Sequence, residues 1–126
     1  MVVGKLGPFG EDKAVEYLQK RGYRIIKRNY RKKWGEIDII TYDRKTSEFV
    51  FIEVKTRLIT DFFSIMPEEE LTSKKIQRLK RVFLSYLSSN KLDEKSWRFD
   101  FVAVYFQDLS SSPEIKHYKD VFLSFD

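Results

Sequence analysis

The chain has no cysteine and a single histidine, His117. Disulfides, thiolate zinc centres, cysteine nucleophiles and histidine-rich transition-metal sites are thereby excluded, so any metal must be a hard cation held by oxygen. Only five glycines and three prolines interrupt the sequence, too few breakers for a disordered chain. Long apolar runs are missing as well: the uncharged stretch 101–107 near the C-terminus is far too short to span a bilayer. The first residues lack an apolar signal core, and a cytoplasmic protein is expected. No repeat, low-complexity tract or Pro/Ser linker divides the chain.

What is present suits one compact domain over residues 1–126, because 42% hydrophobic and 16% aromatic residues supply a sizeable core. Lys and Arg number 24 against 19 Asp and Glu, a net charge of +5 that favours a polyanionic partner. That excess is uneven. Lys20 to Lys33 holds eight basic residues and no acid, whereas residues 93–126 hold seven acids and four bases.

Helical spacing of Ala14, Tyr17, Leu18 and Arg21 predicts a first helix over 10–22, with acids in its first turn and Gly22 past its end. Tyr23 to Tyr30 suggests a short, partly exposed strand, and Trp34-Gly35 a break. Residues 36–42 and 48–56 are rich in β-branched and aromatic side chains around a polar turn, the pattern of a β-hairpin. Residues 57–71 read as a longer loop of unassigned shape. From Thr72, a predicted N-cap, to Ser89 the apolar residues Ile76, Leu79, Phe83, Tyr86 and Leu87 mark a second helix. A strand over 97–106, buried on both faces, and an edge strand over 116–122 complete an αβββαβ order with a final β.

The hairpin carries the chemistry. With its turn centred between Lys45 and Thr46, antiparallel pairing sets Asp38 opposite Glu53 and Glu36 opposite Lys55, with all four on one face. Facing Cβ atoms lie about 4.5–5.5 Å apart and like charges there are destabilising, so a compensating cation is expected. Mg²⁺ suits the role, since it takes oxygen ligands and commonly one or two carboxylates with phosphate oxygens. Two carboxylates and a lysine are the parts phosphodiester hydrolysis needs: a site to polarise phosphate and activate water, and an ammonium beside the developing charge. A one-residue slip would move Asp38 to the opposite face from Glu53.

Asp38 followed fifteen residues later by Glu53-Val54-Lys55 resembles the PD-(D/E)XK nuclease motif, with Ile37-Asp38 at the place of the Pro-Asp pair. More closely, the chain resembles the YraN-like family of predicted endonucleases, itself similar to Holliday-junction resolvases. The matching stretches are Gly10-Glu11-x-x-Ala14, Gly35 to Ile40, Phe51 to Arg57, Lys75-x-x-Arg78-Leu79 with Tyr86-Leu87, and Arg98-Phe99-Asp100. The resemblance implies a restriction-endonuclease-like α/β core, a mixed central sheet flanked by helices. It further implies an endonuclease acting on DNA, branched or otherwise structured DNA included, with Mg²⁺ or Mn²⁺ as cofactor and a homodimer as a candidate assembly. Asp38 and Glu53 would hold the metal, the Val54 carbonyl is a candidate further ligand, Lys55 would serve the water or phosphate, and Glu11 would support metal or water. Two stretches depart from the family: Phe62-Phe63-Ser64 stands where a Phe-Gly pair is usual, and Val82-Phe83 replaces small residues.

Each reading has a plainer rival. Asp38 and Glu53 could be an ion-paired strand face, and Glu11 a carboxylate favoured by the helix dipole. For the basic residues, phosphate binding is expected of Arg24, Arg28 and Arg31, with Arg57 and the helix-two residues Lys75 and Arg78 as further candidates. Arg57 could instead pair with Glu36, and helix two could simply present a solvated face. Asp100 reads as a structural carboxylate holding Arg98 or a backbone amide, and His117 as a surface histidine. The rival functions are a nucleic-acid-binding or adaptor protein with an inactive site, and an RNA-directed nuclease.

Overall fold

The computed structural model describes residues 6–58, 72–108 and 110–121. The order is α1 (Leu6–Lys20), β1 (Tyr23–Lys32), β2 (Gly35–Asp43), β3 (Glu48–Leu58), α2 (Ser73–Ser89), β4 (Trp97–Phe106) and β5 (Glu114–Tyr118). The strands form one sheet in the order β1-β2-β3-β4-β5. β3 and β4 pair in parallel and the other neighbours antiparallel, so α2 lies in the crossover that a parallel pair requires. This is the α/β fold expected, a mixed sheet in αβββαβ order with a fifth strand at its edge. No helix among the described residues is long and apolar enough to cross a membrane.

The two sheet faces are separate cores. On one, Ala14 and Leu18 of α1 cover Ile39, Val50, Ile52, Val102, Val104 and Phe106. On the other, α2 brings Ile76, Leu79, Val82, Phe83 and Tyr86 onto Phe51, Phe99 and Phe101. Phe51 and Phe83 stack with centroids 4.5 Å apart; burial of such a side chain contributes about 1.5–3 kcal/mol. β4 is covered on both faces, which explains its apolar run from Phe101 to Phe106.

α1 starts at Leu6, earlier than its apolar spacing predicts. Pro8 sits in the first turn, where its missing N–H costs nothing. No acid lies in that turn; Glu11 and Asp12 fall in the next one, so the helix-dipole account of Glu11 loses its basis. α2 matches its predicted span, and the Thr72 hydroxyl oxygen accepts from the Lys75 N–H at 3.2 Å. The final strand is displaced: β5 covers Glu114–Tyr118, and Phe122 lies outside the described residues. So do Phe62, Phe63 and Ser64 and most of the loop expected over 57–71, whose first residues instead extend β3.

At the sheet end where β3 and β4 begin, Arg98 is buried among acids. Its Nε donates to Asp100 Oδ1 at 3.0 Å, Nη2 to Asp43 Oδ2 at 3.0 Å and Nη1 to Glu48 Oε1 at 2.9 Å. Nη2 also reaches the Tyr23 hydroxyl at 2.7 Å. Burial alone would raise the Asp100 pKa, but His117, Arg98 and the Asp120 N–H together hold it below the ordinary value. The structural reading of Asp100 is thus met. That of His117 is not: its side chain is only 5% exposed, with Nε2 2.7 Å from Asp100 Oδ2 and Nδ1 3.2 Å from the Tyr17 hydroxyl. Pairing of His117 with Val102 places it there, and a five-residue strand gives sequence reading little to work with.

Candidate functional site

The predicted hairpin register is the observed one, from Asp43↔Glu48 to Ile39↔Ile52. The ladder then stops, one step before Asp38 and Glu53. In its place the Val54 N–H donates to Asp38 Oδ2 at 2.8 Å. Since the N–H and C=O of one residue leave a strand on the same edge, the Val54 carbonyl also looks into the opening between β2 and β3.

The opening coincides with an irregularity on β1. Asn29, opposite Asp38 by the register of Arg28↔Ile39 and Tyr30↔Ile37, has a left-handed backbone with φ +55°. Asn adopts that conformation more readily than most residues. Around it the faces exchange: Arg28 and Ile39 lie on the α1 side, Tyr30 and Ile37 on the α2 side. Asp38 sits at the point of exchange and turns out of the plain alternation. The expected single face for all four side chains is therefore corrected. Asp38 lines a cavity of about 420 Å³ on the α1 side with Glu11, Asn29 and Val54. Glu53 lines one of about 250 Å³ on the α2 side with Trp34, Lys75 and Arg78. Glu36 and Lys55 belong to the walls of both.

The acids still act on one another. Burial, then the charge of Glu53, then those of Glu11 and Glu36 push the Asp38 carboxyl up to about 7, with the Val54 N–H opposing. Glu53 is 8% exposed, and its Oε1 lies 3.6 Å from Lys55 Nζ and 3.4 Å from Lys75 Nζ. Such crowding of carboxylates beside ammonium groups is a common mark of functional sites. All the donors on offer are oxygens, the kind a hard divalent cation takes, and such an ion can be held by one or two carboxylates with water. In donor chemistry the residues fit that ion. Among the described residues no three acidic or imidazole side chains converge into a ready ligand set.

The remaining expected residues divide. Glu11 accepts from Arg28 Nε at 3.0 Å and Asn29 Nδ2 at 3.4 Å, while Arg28 Nη2 also holds Asp12 at 2.7 Å. Arg31 pairs with Glu36 at 3.3 Å. Arg57 Nη1 donates to the Thr56 carbonyl at 2.8 Å, and Arg57 lines the Asp38 cavity. Lys75 and Arg78 line the Glu53 cavity. Arg24 is exposed beside Tyr42, toward the other end of the sheet. Sequence reading missed Asn29 and Trp34. Trp34-Gly35 read as a chain break, with Gly35 also opening a family-like stretch, yet the pair forms one wall of the Glu53 cavity.

Residues 10–104 match Uncharacterised protein family UPF0102, and the chain belongs to that family. A UPF0102 protein of Trichlorobacter lovleyi is 39% identical over 117 residues, 93% of this chain and 89% of that protein. One from Alkaliphilus oremlandii is 40% identical over 118 residues, covering 94% and 97%. One from Flavobacterium psychrophilum is 42% identical over 120 residues, covering 95% of each. Among solved structures, Pyrococcus furiosus SfsA in complex with Ca²⁺ is 17% identical with a TM-score of 0.38. The match covers 88% of this chain and 60% of that one.

Proposed function

We propose that this member of UPF0102 is a metal-dependent endonuclease that hydrolyses phosphodiester bonds in DNA, branched or otherwise structured DNA included. The observation that carries the reading is the buried Asp38 carboxyl at the hairpin opening, fixed by the Val54 N–H and crowded by Glu53, Glu11 and Glu36. A fold needs no such concentration of repelling acids for its own stability. The PD-(D/E)XK pattern and the YraN-like resemblance point the same way. Bound Mg²⁺ or Mn²⁺ would polarise the scissile phosphate and make water a better nucleophile at neutral pH.

The protein's own groups then have distinct tasks. Asp38, Glu53 and the Val54 carbonyl would supply oxygen ligands to such an ion. Lys55, on the wall of both cavities, sets an ammonium against the charge that develops on phosphate oxygens. Lys75, 3.4 Å from Glu53 Oε1, holds that carboxylate in place. Glu11, tied to Arg28 and Asn29, adds negative charge and a hydrogen-bond acceptor for water near Asp38.

A second reading, a nucleic-acid binder or adaptor with an inactive site, draws on the two lysines that already neutralise Glu53. The test incubates labelled linear, flapped and four-way-junction DNA, with an RNA control, in Mg²⁺, Mn²⁺ or chelator. Metal-dependent cutting that disappears in Asp38→Ala and Lys55→Ala is the expected result. Cutting that survives both changes removes the site assignment. Salt-sensitive binding without cutting of any substrate establishes the binder, and preferential cutting of RNA changes the substrate.

A further inference from the structure

We propose that Trp34 is a stacking platform for an unpaired base of DNA, seated on the α2 side of the sheet beside Glu53 and Lys55. The proposal deepens the nuclease reading, on which it rests for the identity of the polymer.

Trp34 is 42% exposed, while most of the described aromatic residues are buried or half-buried. Leaving so large an apolar ring in water forfeits the stabilisation that burial brings, and a wet indole beside a charged cleft suits ligand contact. Trp34 lines the 250 Å³ cavity with Glu36, Glu53, Lys55, Lys75 and Arg78. That volume is below the range of about 300–1,000 Å³ that takes a drug-sized ligand, and it suits a single planar group. Three basic side chains against Glu36 and Glu53 leave the lining with a positive excess, carried outward by the exposed Arg78, which suits a phosphate-bearing ligand.

The local backbone holds the ring there. A Cβ on Gly35 would come 2.7 Å from Val82 Cγ2, so only glycine lets the start of β2 approach α2 this closely. The Arg81 guanidinium lies over the Trp34 ring, 5.4 Å from its centroid. A cation on one face of an indole is held by the ring quadrupole, and the 42% exposure of Trp34 leaves surface for an aromatic partner to reach. Every base offers such a face without regard to sequence, and a base inside a duplex has both of its faces covered by neighbours. Trp34 therefore selects unpaired nucleotides: single strands, flaps and the open centres of junctions. With the base on Trp34, its phosphate falls among Lys55, Lys75 and Arg78.

The test measures binding in chelator, so that no result depends on cleavage. Short oligo-dT, oligo-rU and a DNA duplex are titrated into wild type, Trp34→Ala and Trp34→Phe. Trp97→Phe, which leaves Trp34 as the only tryptophan of the chain's two, is followed by fluorescence. The expected results are quenching of Trp34 emission by oligo-dT and a loss of about tenfold in oligo-dT affinity in Trp34→Ala. Trp34→Phe keeps most of the affinity, and duplex binding changes by less than about twofold. Equal weakening of duplex and single strand, or no weakening of either, overturns the platform. Tighter, Trp34-dependent binding of oligo-rU overturns DNA as its occupant. Trp34-dependent binding by a protein that cuts nothing leaves the platform standing and removes only the nuclease reading; cutting of flaps indifferent to Trp34 does the reverse.

Discussion

At Asp38 a carboxyl is worse off folded than unfolded. Burial and three neighbouring acids raise it from 3.8 to about 7, against the help of the Val54 N–H. A raised folded pKa contributes stability that is fully present below the unfolded value and is lost as pH rises through the folded one. In chelator, the melting temperature should therefore fall as pH rises from about 4 to about 7 and level off above that. Asp38→Asn keeps an oxygen to accept from Val54 and has nothing to ionise. It should be more stable than wild type at pH 8 by about 1–4 kcal/mol, on 1.36 kcal/mol per pKa unit, and the two should converge toward pH 4. Added Mg²⁺ should raise the wild-type melting temperature more than that of the variant. Thermal melts of both proteins across this pH range decide the matter. An Asn variant no more stable than wild type at pH 8 would mean that Asp38 is an ordinary ion-paired residue.

At the scale of elements, the hairpin was legible because alternation has a period of two and its turn length fixes the register. Val50 and Ile52 on one face and Phe51 on the other required no tertiary knowledge. α2 was legible from its 3,4 spacing and Thr72. The exchange of faces at Asn29 and Asp38 was not, since a left-handed residue inside a basic strand leaves no pattern in hydropathy. The side-chain partner of Asn29, Glu11, comes from α1, eighteen residues away. His117 was misread because its partners, Asp100 and Tyr17, come from distant elements. Trp34-Gly35 likewise looks like a chain break until α2 is seen against it. The fit of β2 to α2 can be tested directly. Gly35→Ala must displace Val82, and overpacking of this kind costs about 1–3 kcal/mol. Val82→Ala alone leaves a void, but in the double variant it makes room for the new methyl. Urea unfolding of the four proteins should show the double variant more stable than the sum of the single changes by about 1 kcal/mol, within the usual range for residues in contact. Simple additivity would mean that the two elements yield independently.

Across the whole molecule, the basic residues that cluster in sequence separate in space. Arg28 is occupied by Glu11 and Asp12, Arg31 by Glu36, and Arg24 stands near Tyr42 toward the far end of the sheet. Lys75 and Arg78 instead line the cavity that holds Glu53, with Arg81 beside Trp34. The net charge of +5 is thus less informative than where it lies: on the α2 side Lys75 is already paired with Glu53, which makes the exposed Arg78 the better-placed phosphate contact of that cavity. DNA affinity should fall linearly with salt on logarithmic axes, because each phosphate neutralised releases counterions. Removing one phosphate contact lowers the magnitude of that slope by about 0.7–0.9. Arg78→Ala should show this decrement and Arg24→Ala should not, measured by anisotropy with flapped DNA in chelator over a series of KCl concentrations. Arg28→Ala should lower stability by freeing Glu11 and Asp12 from their shared partner, and leave the slope nearly unchanged. A decrement in Arg24→Ala equal to that in Arg78→Ala would transfer the DNA path to the exposed face of β1, away from Trp34 and Glu53.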